Sequence, residues 1–313
     1  MADFPTRTAD APLAGGLTLE TGVPGLVAYG STFESLIDGL RHSIGRLAAD
    51  DAPTRFGVPP VISRALLERL GYVETFPQLL GVVHTYEGDD RQWRELVPAL
   101  RRGESWTHRH EVSDVVLLPA ACYHLYPHLA ETEFAEPAVF DLTGHCYRHE
   151  RTAEVGRMRS FRMRELVRID APASVLDWRD GWIERAAGWL GSLGLPVTIE
   201  PASDPFFGSA GRLMSTMQRS EQLKWEVAVE VADGLDQAVV SCNCHKNHFS
   251  AEFGFRLGGG EAHTSCVAFG LERIALAILH RHGPDPRSWP AELRPDPGPT
   301  REEPIPDANV SRT

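Results

Sequence analysis

Apolar residues recur at helical spacing in TFESLIDGLRHSIGRLAAD (32–50) and again in VISRALLERLG (61–71), which predicts two helices early in the chain. The stretch YVETFPQLLGVVHTY (72–86) reads as a strand broken by Pro77. Residues 91–104 read as a short helix or loop, and DVVLLPAACYHLYPHL (114–129) as a strand running into a helix. Two strands follow, about 139–150 and 157–170, joined by a polar turn containing Gly156. SVLDWRDGWIERAAGWLGSLG (174–194) predicts a helix stopped by Gly194 and Pro196. KWEVAVEVAD and DQAVVSCNCH alternate as strands around a turn at Asp233-Gly234, and AHTSCVAFGLERIALAILHRHG reads as strand, glycine, helix. Helices interspersed with hairpin strands imply an α+β fold around a mostly antiparallel sheet, without internal repeats. Residues 1–29 read as a poorly ordered lead-in, 30–283 as one domain, and 284–313, rich in Pro and charge, as a disordered tail that packs little.

Composition narrows the class of protein. The chain has 313 residues, with 31 Lys+Arg against 43 Asp+Glu and a formal net charge of -12. That balance argues against a duplex- or tRNA-binding module, which carries a basic field. No apolar run approaches the ~18 residues of a membrane span, and no apolar segment of signal-peptide type follows the acidic N-terminus. Five cysteines, an odd number without secretory features, fit reduced thiols in a cytoplasm.

One stretch runs against the overall charge. GRMRSFRMRE (156–165) gathers four arginines around one phenylalanine. Only Lys224 and Lys246 are lysines, so nearly all the basic charge sits on the planar side chain that grips phosphate with parallel hydrogen bonds. On a strand, Arg157, Arg159, Phe161, Met163 and Glu165 share one face, and Cys146, Arg148 and Glu150 share a face of the preceding strand. A hairpin of the two can bind a nucleotide, with Arg148 and Arg157 on phosphate, Phe161 against the base and Glu150 accepting from an exocyclic amine. The plainer alternative is a solvated hairpin whose arginines pair with nearby acids.

Motif spacing favours the first reading. YRHE (147–150), the Arg-x-x-x-Phe-x-x-x-Glu run (157–165) and GLER (270–273) opening a helix resemble motifs 2 and 3 of class II aminoacyl-tRNA synthetases. The seryl branch is the nearest in look: LLPAACYHLYP (117–127) has the context of its Thr-Ala-Glu segment, and LKWEVAVEV (223–231) and VVSCNCHKNHF (239–249) fall where its later strands lie. VISRALLERLGYVETFPQLL (61–80) resembles motif 1, the dimer-forming helix and strand, and so implies a homodimer. The resemblance implies that Arg148 holds the ATP α-phosphate, Arg273 contacts the γ-phosphate and covers the adenine, and Phe161 stacks on its other face. Arg273 stands early in its helix, where the macrodipole disfavours a cation, so another reason for its presence is needed.

Departures from the seryl pattern refine the expectation. Cys122 stands where the Glu of Thr-Ala-Glu would be, and Cys266 precedes Gly270 on the strand feeding motif 3. With Glu165 they form a Cys/Glu/Cys set resembling the zinc site of the atypical seryl enzymes of methanogenic archaea, with one position open for the substrate amine. Cys242 and Cys244 read as structural. The family's Mg²⁺-site Glu falls near Ala238, so Glu226 and the Ser241–Asn243 segment are the substitutes. No helical arm or anticodon-type domain accompanies the core. A zinc-bearing seryl-like core without tRNA-binding parts resembles the bacterial amino acid:carrier protein ligases, which capture the aminoacyl-adenylate on the phosphopantetheine thiol of an acidic carrier protein and favour glycine or alanine. DPFFGSAGRLMSTMQRSEQLKWE (204–226) is like their insertion, and its Arg212, Arg219 and Lys224 are either a carrier contact or a solvated helix face. A minimal synthetase acting on tRNA and a non-catalytic synthetase-like regulator are the competing readings.

Overall fold

The computed structural model describes residues 17–295 apart from Arg151 and Ala153. Its centre is a seven-stranded sheet built from β1 (Thr54–Gly57), β2 (Ala138–Tyr147), β3 (Ser160–Asp170), β4 (Thr198–Pro201), β5 (Lys224–Ala232), β6 (Leu235–Lys246) and β7 (His263–Gly270), in the order β4-β5-β6-β7-β3-β2-β1. Every neighbouring pair is antiparallel except the β1/β2 pair at the edge.

Alternation along the strands separates two cores. On one face, Leu166, Val240, Val267 and Phe269 pack with α1 (Ser31–Leu47), α4 (Pro172–Ser192) and α7 (Leu271–His282). On the other, Cys146, Val167 and Cys266 join Cys122, Tyr126, and Phe249 and Phe253 of α6 (His248–Phe253) in a second cluster. Both faces of β7 are covered, so its residues Thr264–Phe269 are buried without exception. A smaller three-stranded sheet (Val61–Ser63, Val82–Thr85, Glu111–Leu117) stands beside this second face.

Several local expectations needed adjustment. The 61–80 segment is not one helix and strand: it divides into a strand, a short helix α2 (Arg64–Arg69), a helical turn (Tyr72–Thr75) and a 3-10 turn (Pro77–Leu79). The long helix followed by a sheet strand, the shape motif 1 implies, is instead α1 and β1 at 31–57. Residues 90–101 form α3, started by a capping box in which Asp89 and Gln92 satisfy each other's backbone N–H groups. The helix expected after 117 is two 3-10 turns, Ala121–His124 and Tyr126–Leu129, the second opened by Pro127.

The ends of the domain also pack more than their composition implied. Residues 17–29, read as a loose lead-in, contain an antiparallel ribbon (Thr18–Glu20 with Val27–Tyr29), and Leu17 and the Tyr29–Phe33 stack join the core; residues 1–16 lie outside the described part. Within 284–295, read as a loosely packed tail, Trp289 and Leu293 are fully buried against α1. The approach of Leu293 depends on Gly39, where a Cβ would stand 2.5 Å from the Leu293 carbonyl oxygen. Residues 296–313 of that tail lie outside the described part.

Candidate active site

A cavity of ≈ 250 Å³ opens on the second face of the sheet, and of the eleven side chains expected to bind nucleotide, substrate or metal ten line it: Cys122, Arg148, Glu150, Phe161, Glu165, Glu226, Ser241, Asn243, Cys266 and Arg273. Strand alternation is the cause. Phe161, Met163 and Glu165 project from β3, Ser241, Asn243 and His245 from β6, and Cys266, Ala268 and Gly270 from β7 into one space.

The eleventh, Arg157, lies outside the lining. β3 begins only at Ser160, so the alternation drawn back to Arg157 and Arg159 does not hold. Arg157 is about half exposed and ion-paired to Glu154 at 2.6 Å and Glu150 at 3.2 Å. Arg159 donates to the Glu150 carbonyl at 3.3 Å. The turn they occupy is tight: a Cβ on Gly156, whose φ is +78°, would lie 2.0 Å from the Gln237 side-chain oxygen.

The other two arginines of that stretch point to the opposite face. Arg162 donates to both Glu272 oxygens, from its backbone N–H at 2.7 Å and Nε at 2.6 Å, and its terminal nitrogens reach Glu34 at 2.7 and 3.0 Å. Arg164 grips Asp141 with two hydrogen bonds, 2.9 and 2.6 Å. Both guanidiniums are buried and closed by carboxylates.

Arg148 and Arg273 differ. Among the described residues neither is within ion-pair distance of a carboxylate. Arg148 donates to the Pro119 carbonyl at 3.4 Å and lies over the Phe161 ring, 5.4 Å from its centroid. Arg273, in the first turn of α7, donates to the carbonyls of Gly156 at 2.7 Å and Ala238 at 2.9 Å. Burial lowers its affinity for the proton, as it must for a desolvated cation without a direct counter-ion.

The Cys/Glu/Cys set does gather. The neighbouring Cys266 thiol, burial and the Glu165 charge push the Cys122 thiol well up, while Cys122, aided by His245 and Asn243, holds Cys266 well down. Asn243 Nδ2 and His245 Nε2 each stand 3.4 Å from the Cys266 sulfur. Glu165, 2% exposed, is raised chiefly by burial, and its two oxygens accept from the backbone N–H groups of Ala121 at 2.7 Å and Cys122 at 3.1 Å. The donor chemistry therefore suits zinc, although among the described residues no group of three or more His, Cys, Asp or Glu already stands at metal-holding distances. Glu165 is engaged by the backbone here, so a metal ion bound between the two cysteines would draw it away from the N–H groups of Ala121 and Cys122.

The sequence reading missed the far wall. Asp204, Gln218 and Lys224 line the cavity with Tyr72, Phe76 and Tyr123. Lys224, read as a surface cation, is 8% exposed and bound to Asp204 at 2.6 Å and Glu226 at 3.1 Å. Its position as the first residue of β5, two before Glu226 and so on the same face, was the available signal. The wall is carried by α5 (Gly208–Ser220), whose lead-in is fastened to the Tyr72–Leu79 segment by the stacked Phe76 and Phe206 rings and by Gln78 donating to the Pro205 carbonyl at 2.7 Å.

The fold is that of the class II aminoacyl-tRNA synthetase catalytic core. The seryl enzyme of M. kandleri, solved with A. aeolicus tRNASec, superposes with a TM-score of 0.77 at 22% identity, over 89% of this chain and 57% of that one. The Pyrococcus horikoshii seryl-tRNA synthetase, solved with ATP, gives 0.61 at 16% identity over 83% and 54%. The chain belongs to the amino acid–acyl-carrier-protein ligase family: it is 39% identical over 288 residues to amino acid–acyl-carrier-protein ligase 1 of Bradyrhizobium diazoefficiens, 90% of this chain and 87% of that protein, and 38% identical to ligase 2 of the same organism over 90% and 85%. The type-2 serine–tRNA ligase of Methanococcus aeolicus is 26% identical over 84% of this chain and 52% of its own length. No family model matches the chain. It is thus an enzyme of the ligase class.

Proposed function

We propose that this ligase activates a small amino acid, glycine before alanine, with ATP and transfers the aminoacyl group to the phosphopantetheine thiol of a carrier protein. The observation that carries the nucleotide half is that Arg148 and Arg273 face one cavity with only backbone carbonyls as hydrogen-bond partners, with Phe161 beneath Arg148. A polyphosphate supplies the anion that each guanidinium lacks, and Phe161 a face for the adenine.

In the first step an oxygen of the amino acid carboxylate attacks the α-phosphorus, the bond to the β-phosphate oxygen breaks, and pyrophosphate leaves. No side-chain nucleophile is required; positioning and stabilisation of charge on the phosphoryl oxygens supply the catalysis. In the second, the carrier's thiolate attacks the acyl carbon and AMP leaves. Cys122, Glu165 and Cys266 would hold Zn²⁺, which when bound would select the substrate α-amine; this part rests on donor chemistry and the family resemblance. Mg²⁺ would accompany the nucleotide near Glu226 and Ser241–Asn243.

The partner surface in this reading is α5, which leaves Leu213, Met214 and Met217 exposed between Arg212 and Arg219, an apolar stripe with basic edges suited to an acidic carrier. Homodimerisation is part of the same proposal, with the exposed β1 edge, including Phe56, as the place to look. Among the described residues no helix is long and apolar enough to cross a membrane.

The test is amino-acid-dependent ATP–pyrophosphate exchange with purified, metal-analysed protein, followed by transfer to a phosphopantetheinylated carrier and to tRNA. Exchange with glycine or alanine and thioester formation are expected, with one zinc per chain lost in Cys122→Ala. Absence of exchange with any amino acid would sink the reading in favour of a regulator, and acylation of tRNA alone would replace the carrier as acceptor.

A further inference from the structure

Lys224 has no place in the scheme above, yet it is a buried cation in the cavity wall. Such a group is costly unless paired, and it is paired twice, to Asp204 and to Glu226. Gln218 reinforces the first contact: its side-chain nitrogen donates to Asp204 at 2.8 Å and its oxygen accepts from the Asp204 backbone N–H at 2.7 Å. Burial alone would raise the Asp204 carboxyl, but Lys224 and Gln218 outweigh it and hold it below its ordinary range.

The two carboxylates line the same cavity as the signature arginines and are among the charges that act on them. Beyond the effect of burial, Asp204 acts on Arg148 together with Glu165, and Glu226 acts on Arg273 together with the stronger Glu150, none of them within ion-pair distance. One ammonium therefore gathers two anions that would otherwise be drawn toward two unpaired guanidiniums across the same cavity.

We propose that Lys224 is a positioning residue that keeps Asp204 and Glu226 off Arg148 and Arg273, leaving those arginines open for the phosphates of ATP. The inference rests on the assignment of both arginines to ATP. Without Lys224 the carboxylates compete with the nucleotide, so affinity falls although no contact to ATP has been removed. Removing one competitor as well should then restore part of it.

The experiment compares wild type, Lys224→Met, Lys224→Arg and the double variant Lys224→Met with Asp204→Asn. The readouts are direct ATP binding by titration calorimetry and the ATP KM in pyrophosphate exchange, with thermal melting of each protein alongside. Lys224→Met should raise the ATP Kd and KM roughly tenfold, the scale of coupling between close charge pairs at desolvated sites. The amino acid KM should change less, Lys224→Arg should stay near wild type, and the double variant should recover severalfold. An unchanged ATP Kd in folded Lys224→Met, or a double variant no better than the single, overturns the proposal; the second outcome would mark the pair as structural support alone. A wild-type protein that binds no ATP would instead overturn the arginine assignment and this inference with it.

Discussion

Two pairs of arginines in this fold share a residue type and have opposite fates. Arg162 and Arg164 project from β3 toward the helices and are closed by Glu272, Glu34 and Asp141. Arg148 and Arg273 face the cavity and donate to backbone carbonyls. A buried guanidinium with its carboxylate in place holds structural elements together; one without it is poised for an external anion. The arginines that we assign to the nucleotide are thus set apart from the others by the carboxylate partners they lack.

Substitutions can break this contrast. Arg164→Ala leaves Asp141 buried with only the more distant Arg55, 3.4 Å away, and should cost about 3–5 kcal/mol of stability by denaturant titration, while exchange per folded molecule stays near wild type. Loss of exchange without loss of stability would erase the distinction. Arg148→Ala and Arg273→Ala should do the reverse, lowering kcat/KM for exchange roughly 10²–10³-fold with little change in melting temperature.

Smaller effects sharpen the picture. Leu213→Ser with Met217→Ser on α5 should raise the carrier KM severalfold and leave amino-acid-dependent exchange untouched, because these side chains face solvent rather than the cavity. A matching loss of exchange would show that α5 acts through the pocket wall. Arg157→Ala should have the least effect, under about 1 kcal/mol in stability, since its pairs with Glu150 and Glu154 are partly solvated. A large loss of ATP affinity in that variant would return Arg157 to the phosphate site, where the strand reading first placed it.

Much of this was legible before any coordinates. The antiparallel hairpin around β2 and β3 follows from apolar alternation, and α7 follows from Gly270 and the helical spacing after it. The convergence of Cys122, Glu165 and Cys266 followed from motif order. What stayed hidden had a common cause. Lys224 looked like one more solvated cation because its burial depends on Asp204, 20 residues earlier, folding back over it. Leu293 looked like part of a tail because its seat on α1 depends on Gly39, more than 250 residues earlier in the chain.

The sequence by itself determined the periodicities, and with them the strands, helices and faces on which chemistry-bearing side chains stand, because alternation and helical spacing are local. Only the tertiary structure decided which charges found partners. The buried ion pairs of β3 join residues far apart in the chain, as Glu34 with Arg162 and Arg162 with Glu272 show, and burial makes these pairings obligatory. Whether an arginine is a strut or a site is therefore settled by the neighbours the fold brings within three ångströms, which no local pattern encodes.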